Sequence, residues 1–297
     1  MFDFRLKVFH ATARHLSFSK AAEELFISQP AVSKHVQALE QQYQTKLFFR
    51  QGGRISLTPH GEVLLKHAED IFTLYRKLQY DMNQLINKNG GILRLGASTT
   101  LTQYILPKVL AQFHQQYPDI KLNLINGNTQ QIETAFIQKE IDLGIIEGRS
   151  KNTELKYQSF LKDEIVLVTQ SKHPLAQKGE VSLAELRTIP LAIREFGSGT
   201  LQVIKYYLKS PSMNLSDLNI QIQLGSTEGI KTYLKNTSCF AFLSLNSILE
   251  ELNQGIFSVI EFPGPAMSRD FYFISSHGND EPLANLFTDF VVNYLKA

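Results

Sequence analysis

Short runs of hydroxyl side chains stand at three places where a strand-like segment passes into a helix-like one. They are Ser98-Thr99-Thr100, Gly197-Ser198-Gly199-Thr200 and Ser226-Thr227. The first turn of a helix has backbone N–H groups without partners and the positive end of the helix dipole, so hydroxyl residues there favour anions. Taken together, the runs predict a site for a small anion such as a carboxylate or a sulfur oxyanion. The alternative for each single hydroxyl is that it only caps its helix.

Arg194 precedes the second run and has two open interpretations. It neutralises the charge of a bound anion, or it pairs with Glu195 or another carboxylate. No catalytic or metal-binding set accompanies it, because the eight histidines are scattered without ligand spacing. No GxGxxG or Walker pattern indicates a nucleotide. We therefore expect no enzyme activity, no metal and no cofactor.

An alternation of strands and helices has to position these runs. From Ile92 onward the chain reads as a βαβαβ unit, and a second such unit begins near Glu164. This pattern predicts parallel sheets with helices on both faces. We assign lobe I to about 91–162 and 267–297, and lobe II to about 163–266. Two lobes joined by two crossings leave a cleft, the usual place for a small ligand.

The N-terminal segment has a different pattern, of two short helices joined by a tight turn. Phe26 and Ile27 are expected to close this turn with their apolar side chains inward. Ser28 stands where an N-cap is wanted, and Pro30 falls in the first turn of the second helix. Small and hydrogen-bonding residues then face outward near its N-terminus. The predicted contacts with DNA are Ser28, Gln29, Pro30, Ala31, Ser33, Lys34 and Gln37.

A basic hairpin is predicted directly after this pair of helices. Arg50 and Arg54 flank Gly52-Gly53 between short alternating segments, which is a hairpin signal. Beside a recognition helix such a hairpin is a wing, and its arginines are placed for phosphate or the minor groove. Residues 1–58 hold eight Lys/Arg against four Asp/Glu, whereas the rest of the chain holds 22 against 24. The surplus of positive charge thus lies at the predicted DNA-binding end.

One long amphipathic helix is predicted between the two parts. Leu64, Ala68, Ile71, Tyr75, Leu78, Met82 and Leu85 recur at spacings of four and three. A repeat of 3.5 residues is what a coiled-coil seam requires. Pro59 starts the helix, and we expect it to run to about Lys88 and to join two subunits. The alternative is a helix that lies on its own domain.

The order of these motifs resembles the LysR-type transcriptional regulators. The matching residues include Ala21-Ala22, Ser28-Gln29-Pro30-Ala31-Val32-Ser33, Leu39-Glu40, Leu47-Phe48, Leu57-Thr58, Leu95-Gly96-Ala97-Ser98, Leu106-Pro107, Gly127-Asn128-Thr129, Asp142-Leu143-Gly144, His173-Pro174-Leu175 and Gly225-Ser226-Thr227. Together they cover essentially the whole chain. One departure is that Gln44 stands where the family usually has Gly, which predicts a different turn with a longer final turn of helix.

The resemblance implies an α/β protein in three parts. Residues 1–58 form an all-α winged helix-turn-helix domain, 59–90 a linker and dimerisation helix, and 91–297 a two-lobed effector-binding domain similar in fold to periplasmic solute-binding proteins. The resemblance implies effector contacts at Ser98, Thr100, Asn128 and Thr129, and also near Gly148, Thr200 and Thr227. The hydroxyl runs and the charge of Arg194 add Thr99, Ser198 and Arg194 to the predicted ligand-binding residues. The implied partners are inverted-repeat double-stranded promoter DNA, a small anionic metabolite effector, RNA polymerase and further copies of the chain, as a homotetramer made of two dimers.

The composition agrees with this interpretation. Residues of the hydrophobic class make up 43% of the chain and charged residues 20%, as in globular proteins. No apolar run is long enough to span a bilayer and no leader is recognisable, so we expect a cytoplasmic protein at the nucleoid without a membrane partner. The alternative function is a small-molecule (solute) binding protein with vestigial DNA binding. The helix-turn-helix pattern argues against that alternative.

Overall fold

The chain divides into two compact units. A computed structural model describes residues 3–51, 54–85, 90–148, 152–209, 213–277 and 281–296. The units span Met1–Asn87 and Lys88–Ala297, so the long helix belongs to the first of them. No helix of the described ranges is both long and apolar enough to cross a membrane.

The first unit is a bundle of helices with a two-stranded hairpin. Its elements are α1 (Phe4–His15), α2 (Phe18–Leu25), α3 (Gln29–Gln42), β1 (Phe48–Gln51), β2 (Arg54–Leu57) and α4 (Pro59–Leu85). The side chains of Ser17 and Ser28 cap α2 and α3, accepting hydrogen bonds from Lys20 N and Ala31 N. The antiparallel pairing of β1 and β2 forms the predicted wing; its turn, Gly52-Gly53, lies outside the described residues.

The core of the first unit holds the predicted apolar stripe of α3. Val32, Val36 and Leu39 are buried against Phe9 of α1 and the neighbouring helices. The inward orientation predicted for Phe26 is wrong, because its side chain is 96% exposed. Phe26 has a left-handed φ of 55° at the end of α2, and this conformation turns its side chain away from the core.

The turn after α3 also differs from the expectation. The longer final turn predicted from Gln44 is wrong, because α3 ends at Gln42 and Gln44 takes a left-handed φ of 52°. The Gln44 N–H donates to the Gln41 carbonyl (3.3 Å), and the Thr45 N–H donates to the Glu40 carbonyl (3.0 Å). This is the Schellman pattern, in which glycine is the usual residue. Gln44 makes the same turn as a glycine, with the strain of a side chain in that region.

Only the first part of α4 packs on the core of its unit. Ala68 is buried and Leu64 is partly buried there. Further along, the large apolar side chains of the predicted seam are exposed, namely Ile71, Tyr75, Leu78 and Met82. The described helix ends at Leu85, whose side chain is not described, and residues 86–89 lie outside the described part. The role of this seam in joining subunits stays a prediction.

The second unit is built around a mixed β-sheet with helices on both faces. Its strands are β3 (Gly91–Ser98), β4 (Ile120–Gly127), β5 (Leu143–Glu147), β6 (Leu155–Gln170), β7 (Leu191–Arg194), β8 (Ile220–Leu224), β9 (Phe240–Ser244), β10 (Phe257–Ile260) and β11 (Met267–Ser276). Its helices are α5 (Leu106–Gln116), α6 (Thr129–Ile137), α7 (Pro174–Lys178), α8 (Leu183–Thr188), α9 (Gly199–Leu208), α10 (Thr227–Lys235), α11 (Leu249–Asn253) and α12 (Pro282–Tyr294).

Two long strands carry the sheet from one lobe to the other. The strand order is β4-β3-β5-β11-β6-β9-β7-β8, with β10 beside β6. The groups β4-β3-β5 and β9-β7-β8 are parallel, as predicted. However, β11 runs antiparallel to β5 and β6, so the sheet is mixed. A purely parallel sheet was the expectation because each βαβ unit was interpreted alone, without the strands that cross between lobes.

Separate apolar clusters support the two lobes. Two clusters draw on β3, β5, β11 and the helices over them, with Phe113, Phe271 and Phe287 at the centre of the larger one. Two others surround β6, β7 and β9, with Phe240 and Leu243 among their buried members. Cys239 is buried in the last of these.

Candidate functional site

The outer face of α3 presents the side chains expected to contact DNA. Ser28, Gln29, Pro30, Lys34 and Gln37 are exposed, and Ala31 and Ser33 are half-buried. They follow one another along the N-terminal turns of α3, opposite the buried stripe of that helix. The structure therefore brings the seven predicted residues to one helix end. A recognition helix uses this end to reach base edges in the major groove.

Two of these side chains are linked to each other. The amide Nε2 of Gln29 donates to the hydroxyl of Ser33 over 3.1 Å. This bond uses one of the two N–H groups of the exposed Gln29 amide. An amide with a donor and an acceptor side by side is the group that pairs with the N6 and N7 edge of adenine. The hydroxyl of Ser28, by contrast, is used in capping α3.

The wing places one arginine in a defined position. The guanidinium carbon of Arg50 lies 4.2 Å from the centroid of the Phe18 ring, at the start of α2. Arg50 and Arg54 are both exposed, and neither has an ion-pair partner in the described part of the chain. No carboxylate among the described residues forms an ion pair with them, which suits contact with phosphate.

Two buried hydroxyl groups of the predicted cleft have no hydrogen-bond partner among the described residues. One is Ser98 Oγ at the end of β3 in lobe I, and the other is Ser198 Oγ, just before α9 in lobe II. Ser198 is the N-cap of α9, yet its side chain makes no capping bond. An unpartnered buried hydroxyl costs free energy, so each group is suited to a ligand that supplies the missing bond. The hydroxyl of the buried Thr100 likewise makes no hydrogen bond within the described residues.

The other threonines of the predicted site already have partners in the protein. Thr200 Oγ1 donates to Glu147 Oε1 (3.1 Å) and accepts from Arg269 (2.9 Å). Thr129 Oγ1 donates to the Glu147 carbonyl, at 2.8 Å. Thr99 Oγ1 donates weakly to the Gly127 carbonyl, at 3.4 Å. Thr129 and Thr200 are therefore bonded within the protein, but neither caps its helix, because Asn128 and Ser198 hold the N-cap positions of α6 and α9.

Arg194 forms an ion pair with the residue that follows it. Its guanidinium makes two bonds to the Glu195 carboxylate, at 2.8 and 3.0 Å. The remaining contacts go to Thr227 Oγ1 (3.0 Å) and, across the cleft, to Thr99 Oγ1 (3.5 Å). With only 1% of its side chain exposed, Arg194 ties the hydroxyls of both lobes together. Of the two interpretations, the structure shows the pair with Glu195.

The remaining predicted residues lie where the two lobes meet. Asn128 caps α6 in a capping box with Gln131, and its Nδ2 donates to the Phe196 carbonyl of lobe II over 3.4 Å. Gly148 has a φ of 109°, and a side chain there would come within 3.0 Å of the Gly199 backbone. A Cβ on Gly199 would lie 2.2 Å from the Glu147 carbonyl oxygen. The lobes thus touch backbone to backbone at this point, which requires glycine.

A buried cluster of charges that was not predicted from the sequence lies beside this contact. Arg269 of β11 pairs with Asp163 (2.7 Å) and Glu147 (3.1 Å), and all three side chains are almost fully buried. The hydroxyl of Ser244 and the amide of Asn246 each donate to Asp163 Oδ1 at 2.8 Å. This cluster joins both crossing strands to β5 and to lobe II. One signal was available in the sequence, since Glu147 ends an otherwise apolar strand.

The described residues contain no group of three or more His, Cys, Asp or Glu that could hold a metal ion. The cleft combines buried hydroxyls, an arginine paired with a glutamate and a close contact of glycine backbones. This arrangement suits a small molecule between the two lobes. The first unit carries a helix-turn-helix with an exposed reading face.

Comparison with known families agrees with both parts. Residues 4–62 match the bacterial regulatory helix-turn-helix protein family of lysR type, and residues 87–296 match the LysR substrate binding domain. The chain belongs to the LysR family and is a LysR-type transcriptional regulator with an effector-binding domain. The resemblance drawn from the motifs is thereby confirmed.

Several relatives match over most of their length. The chain is 31% identical over 271 residues to the regulator CysL of Bacillus subtilis, covering 91% of this chain and 90% of CysL. It is 33% identical over 270 residues to the transcriptional activator CmpR of Synechocystis, covering 91% of this chain and 88% of CmpR. These relatives are transcriptional regulators.

Solved structures show the same architecture. The regulatory domain of Synechocystis CcmR in complex with 2-PG matches with a TM-score of 0.63 at 26% identity, covering 69% of this chain and 97% of that chain. Full-length CbnR in complex with its target DNA matches with a TM-score of 0.65 at 18% identity, covering 99% of each chain. The second match shows the shared fold of the full chain.

Proposed function

We propose that this regulator binds inverted-repeat promoter DNA and responds to a small anionic metabolite held between its two lobes. The reading face of α3 contacts base edges, and Arg50 and Arg54 contact phosphate or the minor groove. Two α3 helices, one from each subunit of a pair, read the two halves of the site. The effector shifts the regulator between two arrangements that bind DNA differently, so it must have a higher affinity for one of them.

The observation that carries the effector proposal is the pair of unpartnered buried hydroxyls, Ser98 and Ser198, one from each lobe. A ligand that bonds to both closes the lobes on itself. The first turn of α9 adds backbone N–H groups and the positive end of the helix dipole next to Ser198. Thr100 supplies a third free hydroxyl. These groups favour an anion with several acceptor oxygens.

The relatives suggest which anions to test first. The solved structure of CcmR contains 2-PG, so 2-PG is the first organic probe. Sulfate and sulfite are the inorganic probes, because the hydroxyl runs predict a site for a carboxylate or a sulfur oxyanion. The proposed cycle of binding and release uses no cofactor and no bond-making step.

We further propose a homotetramer made of two dimers that acts with RNA polymerase on promoter DNA in the cytoplasm, at the nucleoid. The exposed side chains of Ile71, Tyr75, Leu78 and Met82 on α4 support the pairing step, because they repeat at spacings of four, three and four. One subunit offers a modest surplus of positive charge. Several linked subunits would hold a genomic site more firmly than one.

The binding of 2-PG, sulfate and sulfite to the full chain tests the effector site. Titration calorimetry on wild type, Ser98→Ala and Ser198→Ala is expected to show binding of one probe that weakens by about tenfold in each variant. Neither hydroxyl has a partner in the described part of the chain, so both variants should melt at or above the wild-type temperature. Ser258→Ala is the matched control, because Ser258 bonds to Ser171 (2.8 Å) outside the cleft.

The results separate the candidate functions. If binding of the probe is unchanged in both cleft variants, the ligand lies elsewhere and the proposed site is wrong. If the probe binds in the cleft but DNA is bound without any sequence preference, the protein acts as a small-molecule binding protein with vestigial DNA binding.

A further inference from the structure

A second connection between the lobes lies next to the predicted effector residues. Tyr104 belongs to lobe I, and its hydroxyl donates a short hydrogen bond to Glu228 Oε1 of lobe II. Tyr104 lies in a π-helical turn, Leu101–Ile105, that follows Thr100 directly. Glu228 follows Thr227 directly at the start of α10. On both lobes the connection therefore begins within four residues of a predicted effector contact.

The acceptor end of this bond is held in place by a buried lysine. Lys231 lies one turn further along α10, and its Nζ is 2.8 Å from Glu228 Oε1 and 2.9 Å from Glu251 Oε1. Only 7% of the Lys231 side chain is exposed. Lys235 also pairs with Glu251, at 3.1 Å. The two lysines and two glutamates of lobe II balance in charge, so this group stays assembled without lobe I.

Lys231 also contacts the ring of Tyr104. Its Nζ lies 5.1 Å from the ring centroid, within the range of a cation–π interaction. Lobe I thus offers one side chain that makes two contacts, a hydrogen bond through its hydroxyl and a cation–π contact through its ring. Parting the lobes breaks both contacts and leaves the charged group of lobe II intact.

The protonation states fit this arrangement. Burial raises the pKa of the Tyr104 phenol, and the hydrogen bond to Glu228 raises it further. Burial raises the pKa of the Glu228 carboxyl, but the bonds from Lys231 and Tyr104 outweigh this and hold its pKa below the usual value. At neutral pH the phenol therefore donates and the carboxylate accepts, which makes a charge-assisted bond.

We propose that Tyr104 and Glu228 are positioning residues of the effector response, forming a latch across the cleft that sets how readily the two lobes part. This proposal rests on the proposed function, because the latch holds the two lobes in the closed state on which the effector response depends. A π-helical turn is a rare element that is often found at functional sites. Because Tyr104 and Thr100 share this turn, a ligand that moves the turn also moves the latch.

Hydrogen–deuterium exchange of the full chain without any ligand tests the latch directly. The variant Tyr104→Phe removes the hydroxyl and keeps the ring over Lys231. We expect backbone amides of α10, in the opposite lobe, to exchange roughly tenfold faster, which is the equilibrium shift from losing one charge-assisted hydrogen bond. Glu228→Gln is the second variant, and it should speed exchange in the turn Leu101–Ile105 of lobe I.

Tyr157→Phe is the matched control. Its hydroxyl donates to Glu133 Oε1 at 3.0 Å, which is the same kind of bond made within lobe I. The control should leave α10 unchanged. The proposal is overturned if Tyr104→Phe leaves α10 exchange at the wild-type rate, or if it speeds exchange evenly over the whole second unit with a lower melting temperature. Because no ligand is added, this result is independent of whether any anion binds.

Discussion

The guanidinium of Arg50 stacks on the ring of Phe18, with 4.2 Å between the guanidinium carbon and the ring centroid. Phe18 is buried in the helix-turn-helix core and opens α2, whereas Arg50 is exposed on the wing. The contact fixes a flexible cation against a rigid element at little entropic cost. The wing therefore presents a charge in a defined position beside the reading face of α3.

Removal of the Arg50 side chain should weaken DNA binding in a salt-dependent way. For Arg50→Ala, the slope of log affinity against log salt concentration is expected to fall by about one unit, because one phosphate contact is lost. Arg54→Ala should have a similar effect. Fluorescence anisotropy on a fixed promoter fragment at several salt concentrations measures both.

Two further variants calibrate this measurement. Arg50→Lys keeps the charge but not the planar stacking group, so its slope should match wild type while its affinity falls. Lys172→Ala removes an exposed charge of the second unit and should change neither quantity. An unchanged slope in both Arg50→Ala and Arg54→Ala would show that the wing does not contact DNA.

Base readout is assigned to the linked pair Gln29 and Ser33. The double variant Gln29→Ala, Ser33→Ala should lose sequence preference by roughly 1–3 kcal/mol, the usual discrimination of a bidentate contact. The measurement is competition between a promoter site and unrelated DNA of equal length. Gln41→Ala, exposed near the other end of α3, is the control and should leave the preference unchanged. Equal preference in the double variant and wild type would show that other residues read the bases.

The strained turn at Gln44 predicts a stabilising substitution. Gln44→Gly should raise the free energy of unfolding of the first unit by about 1 kcal/mol, because glycine adopts the left-handed region without strain. Gln42→Gly, at the last position of α3, should lower it by about the same amount. Urea unfolding followed by circular dichroism gives both values. A loss of stability in Gln44→Gly would show that the side chain makes up for its own strain.

The buried arginine at the lobe junction should be sensitive to substitution. Arg269→Met leaves the carboxylates of Asp163 and Glu147 buried without a cation, which costs about 3–5 kcal/mol. Thermal unfolding of the full chain should show this loss in the transition of the second unit. Arg187→Met, an exposed residue of α8, is the comparison. A small effect for Arg269→Met would mean that the carboxylates take up protons or water at little cost.

A single hydroxyl separates effector response from basal DNA binding. Thr100→Val keeps the shape of a buried side chain whose hydroxyl makes no hydrogen bond in the described structure. It should weaken the response to the anion that binds while basal DNA affinity stays at the wild-type value. Gel shifts with and without that anion measure both. Loss of basal DNA binding together with the response would indicate a folding defect instead.

The sequence predicted elements whose signals are local. The caps Ser17 and Ser28, the buried stripe of α3 and the alternation of strands and helices all follow from residues close together in the chain. The hydroxyl runs were found for the same reason, since each stands at the end of a strand. Reliance on local signals also explains why the predictions for Phe26 and Gln44 were wrong. Both residues adopt left-handed backbone conformations that their residue types do not indicate.

Contacts between distant segments could not be predicted from one chain. Arg269 and Asp163 are paired by the register of β11 and β6, and Tyr104 meets Glu228 only because the lobes face each other. Whether a hydroxyl is free or hydrogen-bonded likewise depends on segments that are distant in the sequence. Ser198 and Thr200 look equivalent in the sequence, yet the Thr200 hydroxyl is bonded to Glu147 and Arg269 whereas the Ser198 hydroxyl has no partner among the described residues.

The central claim is that the regulator reads specific DNA sites and that a cleft ligand changes this reading. Genome-wide footprinting of the purified protein on its own genomic DNA, with and without a cell metabolite extract, tests both halves at once. The account predicts discrete inverted-repeat sites whose footprints shift with the extract in wild type but not in Ser198→Ala. Diffuse, salt-labile binding with no preferred sites would contradict it, and so would footprints that are the same with and without the extract.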